Sequence, residues 1–294
     1  MKLTKSQIKK ILMMSALVLF AVSAAGCRVA TDETGAIKLI TDETTFSQIM
    51  SEESWFSAIL VWPMAQALNK LTPVIGVAGA ITILTLVVNG ILMVFTMKST
   101  IASQQMQLLQ PELDRIQKKY EGRTDDASKM KQANEMQALY KKYDVNPFSM
   151  ILITFLQFPI IISIYQAVQR SSAVKTGTFM GLNLETTPLA GIRQGMYGYI
   201  ILFIFMAVFQ YLSMQLPQYL AKKKAEQEAA KHHRKPADTS NSQNKMMQTY
   251  MLVMILAIGL MLPAAMSIYW IIYSVVNILK TLLTQKIIES RSAK

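Results

Sequence analysis

The sequence contains few of the residues on which catalytic and metal-binding sites depend. Its 294 residues include one cysteine and two histidines, which excludes a disulfide framework and a tetrahedral Cys/His zinc site. The adjacent His232 and His233 have no further ligand at useful spacing, which favours two solvated side chains over a bound metal. A glycine-rich phosphate loop, a Ser/His/Asp arrangement and a His-Glu-x-x-His motif are also missing. We therefore expect no enzymatic activity, no cofactor and no metal.

Charged residues are scarce as well. They make up 16% of the chain, against about 25% in a typical soluble domain. The apolar residues, 52% of the total, are grouped in runs comparable to the ~20 residues that cross a bilayer as a helix. We therefore predict an all-α membrane protein with five transmembrane helices. The predicted spans are residues 74–97, 148–168, 196–216, 246–262 and 264–284.

The first 26 residues have the organisation of a secretory signal peptide, with four lysines before a short apolar core. Ala24, Ala25 and Gly26 then precede Cys27. This order resembles the lipobox of bacterial lipoproteins, whose cysteine is acylated, for example with palmitate, before cleavage. The alternative is an ordinary signal peptide followed by an unrelated cysteine. We predict lipidation at Cys27, and residues 27–54 form a polar segment outside the membrane.

Basic residues are divided unevenly between the segments that flank the spans. Lys and Arg number nine in 98–147, seven in 217–245 and four from Lys280 onward, against three in 28–73 and three in 169–195. The positive-inside rule makes the first group cytoplasmic. The signal peptide independently places residue 27 outside, and five spans then bring the C-terminal tail, 285–294, into the cytoplasm. Both arguments predict a multi-pass protein of the bacterial plasma membrane with this orientation.

Two further segments carry amphipathic patterns. Residues 55–73 combine helical apolar spacing, interrupted by Pro63, with two tryptophans, which predicts a short helix in the outer membrane interface. Residues 98–147 contain two apolar seams separated by turn residues at 121–126, which predicts a cytoplasmic helical hairpin rather than a solvated spacer. The seams are Met106, Leu109, Leu113, Ile116 and Tyr120, then Ala133, Met136, Tyr140 and Tyr143.

The loop 217–245 is strongly basic. It begins with Lys222, Lys223 and Lys224, and we expect this first part to continue the third span as a helix. Its positive charge predicts contact with anionic phospholipid or with ribosomal RNA. The alternative, that the charge only determines topology, stays open.

Neutral amides recur at one depth inside the predicted spans. Asn89 lies roughly 12 Å above the cytoplasmic end of its span and Gln157 roughly 14 Å. Gln210 and Asn277 come out at roughly 9 to 11 Å. Hydroxyls in the same band are those of Ser213, Ser274 and Thr154. Such groups either hydrogen-bond across helices as packing contacts or line a hydrated recess open to the cytoplasm; four amides at one level favour an uncharged recess.

Several motifs resemble those of the YidC/Oxa/Alb family of membrane protein insertases, in particular its Gram-positive lipoprotein type. They are Met-Gln-Leu-Leu-Gln-Pro-Glu at 106–112, Lys-Lys-Tyr-Asp-Val-Asn-Pro at 141–147, Gln-Phe-Pro at 157–159 and Pro-Ala-Ala-Met-Ser-Ile-Tyr-Trp at 263–270. The motifs occur in the family's order and with its topology, over roughly residues 55–290.

The resemblance implies five spans around a polar groove open to cytoplasm and lipid. A client's hydrophilic segment enters this groove while its apolar helix leaves along the first and fifth spans. Gln157 matches a groove residue, and Tyr269 and Trp270 match aromatics near the client exit. With the polar layer, the candidate client-contacting residues are Asn89, Gln157, Gln210, Asn277 and Ser274. Asn89 stands where the family has a groove arginine, and an amide can hold water there but cannot attract an acidic segment.

These expectations combine into a function. The resemblance implies an insertase and chaperone that inserts and helps fold nascent membrane proteins without nucleotide hydrolysis. The Sec translocon, the ribosome and anionic phospholipids are candidate partners; we expect a monomer and no small-molecule substrate. The alternative is a small transporter or channel that uses the polar layer as a solute path. Ion-coupled carriers usually keep an ionisable group in a span, and none is evident here.

Overall fold

The described part of the chain is mostly helical, in agreement with the predicted all-α class. The computed structural model describes residues 29–143, 145, 148–231 and 242–292, so the signal peptide, Cys27, His232 and His233 lie outside it. The helices are α1 (Phe46–Glu52), α2 (Trp62–Leu108), α3 (Gln110–Lys119), α4 (Asp126–Lys142), α5 (Phe148–Arg170), α6 (Ser172–Lys175), α7 (Pro188–Arg193), α8 (Gly198–Lys231), α9 (Ser242–Met261) and α10 (Ala264–Ser292). A short antiparallel hairpin pairs β1 (Thr178–Phe179) with β2 (Leu182–Asn183).

Three helices are long and apolar enough to cross a membrane. Among the described residues these are Ser57–Leu108, Gly198–Lys224 and Ala264–Ser290. The first and last contain the predicted first and fifth spans, and the second covers the predicted third span except for its first two residues. The second predicted span coincides with α5, and the fourth contains a shorter apolar helix, Gln248–Met261. The total of five membrane-crossing helices stays a prediction.

The region predicted as an interfacial helix forms the first part of α2 and is separated from most of the predicted first span by a kink at Gly76. Pro63 does not interrupt the helix, because a wider π-helical turn, Ser57–Val61, ends two residues before the proline. A wider turn relieves the clash between a proline ring and the carbonyl four residues earlier. The break comes instead at Gly76, whose φ of 73° lies in the left-handed region that favours glycine.

The predicted first arm of the helical hairpin is divided in the structure. Helix α2 continues through Met106 to Leu108, and α3 starts at Gln110, after the single residue Leu109, with Pro111 in its first turn. Proline cannot donate to a carbonyl four residues earlier, so a helix stops or restarts beside it. The apolar contact of the hairpin consists of Met106, Leu109, Leu113 and Val145, with Met136, Leu139 and Tyr140 packed against them. Ala133 and Tyr143, which the pattern assigned to the seam, are exposed.

The chain divides into two compact units. The first comprises the described residues up to Leu84, Thr154–Thr187 and Pro263–Met266. Here the N-terminal segment binds to the end of α5: the Ile40 N–H donates to the Arg170 carbonyl at 2.7 Å. The buried Asn69 side chain donates to the Ile40 carbonyl at 2.8 Å and accepts from the Ser171 hydroxyl at 2.6 Å. These contacts order a segment for which the sequence predicted only polarity.

The second unit comprises Thr85–Ile153, Pro188–Leu262 and Ser267–Lys294. Beyond the predicted spans, the ends of three helices pack on one another through Ile101 and Leu108 of α2, Ala221 of α8 and Ile288 of α10. Gln104 of α2 donates to the Thr281 carbonyl of α10 at 3.2 Å. This bundle holds α2 and α10 side by side, and Asn89 and Lys280 lie on the same two helices.

Candidate functional site

Asn89 lies on α2 and is only 2% exposed. Its side-chain nitrogen donates to the Thr85 carbonyl one turn earlier, at 2.9 Å. Its side-chain oxygen accepts a hydrogen bond from the Lys280 ammonium of α10, at 2.7 Å. An acceptor on one side and a cation on the other fix the orientation of the amide, because only its nitrogen can donate and only its oxygen can accept.

The prediction of an uncharged recess is therefore wrong. Lys280 was counted with the cytoplasmic tail, although it lies four residues before the end of the predicted fifth span. The structure places it inside α10 and half-buried, with its ammonium on Asn89. The physical reason is helix periodicity: Lys280 follows Asn277 by three residues, so both side chains lie on one face of α10. The same observation removes the argument that the spans contain no ionisable group.

Two more of the predicted amides lie in the second unit. Gln210 of α8 accepts a hydrogen bond from the buried Ser274 hydroxyl of α10, at 3.0 Å. Asn277 is in hydrogen-bond contact with the Tyr273 hydroxyl. Within the described part of this unit, Asn89, Gln210 and Asn277 form these hydrogen bonds with other partners and not with one another.

Gln157 belongs to the part of α5 that lies in the first unit. Its side-chain nitrogen is buried and has no hydrogen-bond partner among the described residues. A buried donor without a protein partner requires water or a ligand group to satisfy it. Ser213 of α8 is half-buried, and the Thr154 side chain lies outside the described part of the structure.

The two aromatic residues assigned to the client exit have different environments. Tyr269 is 1% exposed and stacks on Tyr273, with ring centroids 5.7 Å apart. Its hydroxyl has no partner among the described residues. Trp270 is half-buried and packs over Gly259 of α9, where an added Cβ would lie 3.4 Å from the indole. The exit role of both residues stays a prediction.

The basic residues at the start of loop 217–245 continue α8, as predicted. Lys222 and Lys223 are exposed and Lys224 is half-buried. Lys222 lies 3.8 Å from Glu226 one turn later, an exposed pair of small energetic weight. These side chains are accessible to an anionic partner.

The site, then, is a polar face formed by α2, α8 and α10 within the second unit. It offers one ammonium, three amides and a hydroxyl: Lys280, then Asn89, Gln210 and Asn277, then Ser274. All of these groups form hydrogen bonds readily, and none is a nucleophile at neutral pH. Such a face can bind and solvate a polar chain without chemical reaction. Lys280 is not among the site residues predicted from the sequence. It could have been found there, because it is a lysine within the predicted fifth span, 264–284.

Comparison with known proteins identifies the family. A family model described as 60Kd inner membrane protein matches residues 68–291. A Streptococcus pyogenes serotype M3 protein named membrane protein insertase YidC 1 is 33% identical over 224 residues, which cover 76% of this chain and 72% of the relative. The chain belongs to the YidC/Oxa/Alb family. Membrane protein insertase YidC 2 of Bacillus anthracis is 29% identical over 223 residues, 74% of this chain and 76% of the relative. YidC of Mycoplasma capricolum is 36% identical over 162 residues, 55% of this chain and 42% of the relative.

Family membership confirms the resemblance drawn from the motifs at 106–112, 141–147, 157–159 and 263–270, which all fall within the matched residues. It also makes this YidC family chain a bacterial membrane protein, in agreement with its three long apolar helices. Lys280 and Asn89 both lie in the matched region.

Proposed function

We propose that this chain is a membrane protein insertase, which inserts and helps fold client membrane proteins through a polar groove and hydrolyses no nucleotide. The names of the relatives from Streptococcus pyogenes and Bacillus anthracis support this function. They do not favour the transporter alternative.

The observation that carries the proposal is the polar face of α2, α8 and α10. Lys280 meets Asn89, and Ser274 meets Gln210, on helices that are long and apolar enough to cross a membrane. In hydrocarbon, an ammonium costs several kcal/mol and an unpaired amide also costs free energy. Their concentration on one face favours a hydrated recess, where a hydrophilic peptide finds hydrogen-bond partners.

The recess explains insertion physically. A hydrophilic segment must cross about 30 Å of hydrocarbon, and a recess in the inner half of the bilayer shortens the dry part of that path. Burial of the client's apolar helix in lipid, at about 25 cal/mol per Å², supplies the driving force. Hydrogen bonds to amides, hydroxyls and the ammonium only compensate for lost hydration, so no bond is made or broken and no nucleotide is needed.

The finer assignments are part of the same proposal. We infer five spans with the N-terminus outside, the C-terminus in the cytoplasm, and a lipid anchor at Cys27. The α3–α4 hairpin receives the client, Gln157 lines the groove, and Tyr269 and Trp270 lie beside the exit. Nascent membrane proteins are the clients. The ribosome, the Sec translocon and anionic phospholipid are partners of a monomer, with Lys222, Lys223 and Lys224 as basic contacts.

The intact mass of the mature chain tests the lipid anchor. The mass added by acylation must disappear in the Cys27→Ser variant.

Insertion by the purified chain tests the proposal. Proteoliposomes receive a single-span client with a short hydrophilic N-terminal tail, without nucleotide, and protease protection reports insertion. We expect insertion that empty vesicles do not support, and photo-crosslinks to the client from positions 89 and 210. Position 254 on α9, where Met254 is 42% exposed, is the control. Absence of insertion, or equal crosslinking from all three positions, refutes the proposal; solute flux without insertion would establish the transporter instead.

A further inference from the structure

Lys280 is a charge that the amide partner alone does not satisfy. An ammonium has three donors, and in the structure one of them is used, by the Asn89 oxygen at 2.7 Å. Among the described residues no carboxylate pairs with Lys280. The other donors of this half-buried cation are therefore left for water or for an anionic group that comes from outside the chain.

The position of the pair places this cation within the membrane. Lys280 lies 16 residues after the start of α10, about 24 Å along the helix axis, and Asn89 lies 15 residues into its span, about 22 Å along. Measured from the start of α10 and from the start of the predicted first span, the two positions lie at similar depths, in agreement with their direct contact. Both values fall short of the roughly 30 Å hydrocarbon thickness. A cation at this depth is unfavourable unless a partner or water accompanies it, and intramembrane charges of this kind usually mark functional sites.

We propose that Lys280 is the specificity-determining cation of the groove, that Asn89 positions it, and that its ammonium pairs with a carboxylate in the hydrophilic segment of the client. This rests on the proposed insertase function. Asn89 suits the positioning role because it is buried and its amide orientation is fixed by Thr85. A neutral positioning residue leaves the positive charge of Lys280 uncompensated, so a carboxylate that reaches it gains both a charge interaction and a charge-assisted hydrogen bond.

A structural role for Lys280 makes a different prediction. If the lysine only joins α2 to α10, or only extends to the membrane surface to anchor the helix end, its loss affects all clients equally. A specificity role affects only clients whose segment carries a carboxylate. Client charge therefore separates the two roles, whatever the effect of a mutation on overall stability.

The experiment uses the full chain in proteoliposomes without a membrane potential, so that electrophoretic force on the client is absent. Two single-span clients are identical except that the hydrophilic tail carries Asp in one and Asn in the other. We expect the wild-type chain to insert the Asp client about two- to fivefold faster, the range of a partly solvated charge pair. Lys280→Gln should abolish that ratio while the Asn client is still inserted, which also reports that the variant is folded.

Matched variants sharpen the result. Lys286→Gln removes the same charge from an exposed position on α10 and should leave the ratio unchanged. Lys280→Arg should retain it. The exchange Asn89→Lys with Lys280→Asn moves the ammonium across the contact and should restore the preference that Lys280→Gln loses.

The outcomes separate the two proposals. An unchanged ratio in Lys280→Gln, an equal loss for both clients, or an equal effect of Lys286→Gln overturns the role of Lys280. If the wild-type chain inserts neither client, the insertase function itself fails. Insertion of both clients at one rate by the wild-type chain leaves that function standing and overturns only this inference.

Discussion

Removing the carboxylate of Glu53 should release the N-terminal segment from the first unit. The Arg170 guanidinium is 0% exposed and pairs with Glu53, whose side chain is 8% exposed. Arg170 also donates to the Lys38 carbonyl at 2.8 Å, so it holds the segment at two places. Loss of one partner from a buried ion pair leaves an uncompensated charge and costs about 3–5 kcal/mol. We expect a loss of this size in Glu53→Ala.

The preceding residue provides a matched control. Glu52 pairs with Lys38, but those side chains are 52% and 40% exposed. An exposed pair contributes about 0–1 kcal/mol, so Glu52→Ala should have little effect. Both variants delete a carboxylate at neighbouring positions, so they change net charge equally and differ in the burial of the ion pair. Glu53→Gln keeps an acceptor oxygen without the charge and should fall between them.

Hydrogen exchange of the Ile40 amide measures the effect directly, because this N–H donates to the Arg170 carbonyl at 2.7 Å. Exchange follows local opening of the segment. A loss of about 3–5 kcal/mol corresponds to a fall in protection of about 140- to 4,000-fold, against less than about tenfold for Glu52→Ala. Equal protection of Ile40 in the Glu53→Ala and Glu52→Ala variants would show that burial of the ion pair does not hold the segment.

Two other predictions concern packing and charge in the second unit. Gly191→Ala should lower the free energy of unfolding by about 1–3 kcal/mol, because an added Cβ would lie 2.1 Å from the Tyr199 ring. Gly90→Ala should not lower it, because an added Cβ there would have nothing within 4 Å. Equal melting temperatures for the two variants would contradict the close packing of Gly191 against Tyr199. Acidification should loosen the α3–α4 hairpin. The hydrogen bond from Lys119 holds the pKa of Glu135 below its usual value. The stabilisation that this pair provides at neutral pH is therefore lost as the pH falls through the lowered pKa. Amide exchange of α4, corrected for its intrinsic pH dependence, should show this in the wild-type chain and not in Glu135→Gln; the same pH dependence in both would refute it.

Local patterns predicted the helices but not always their ends. The continuation of α8 through Lys222 was foreseen, because lysine, alanine, glutamate and glutamine are good helix formers. The division of the hairpin arm at Leu109 was not, although Pro111 was a visible signal for it. Pro63 interrupts the apolar spacing of the predicted helix but not the helix itself, which continues through the proline after a π-helical turn.

The candidate site was predicted in its amides and missed in its charge. The amides Asn89, Gln210 and Asn277 were found because a polar residue within an apolar run is visible in one segment. The partner of Asn89 is Lys280, 191 residues away in the sequence. Its place in the site depends on which face α10 turns toward α2, and a single segment does not contain that information.

The sequence by itself determined the membrane class, the positions of the long helices and the family, because hydrophobic run length and motif order are properties of short segments. Only the tertiary structure decided that Lys280 meets Asn89, that Arg170 is buried against Glu53, and that Tyr269 lies in the interior. Those contacts depend on the rotation and crossing of helices that are far apart in the chain. Side-chain packing sets that geometry, and several arrangements of it are compatible with the same hydrophobic pattern.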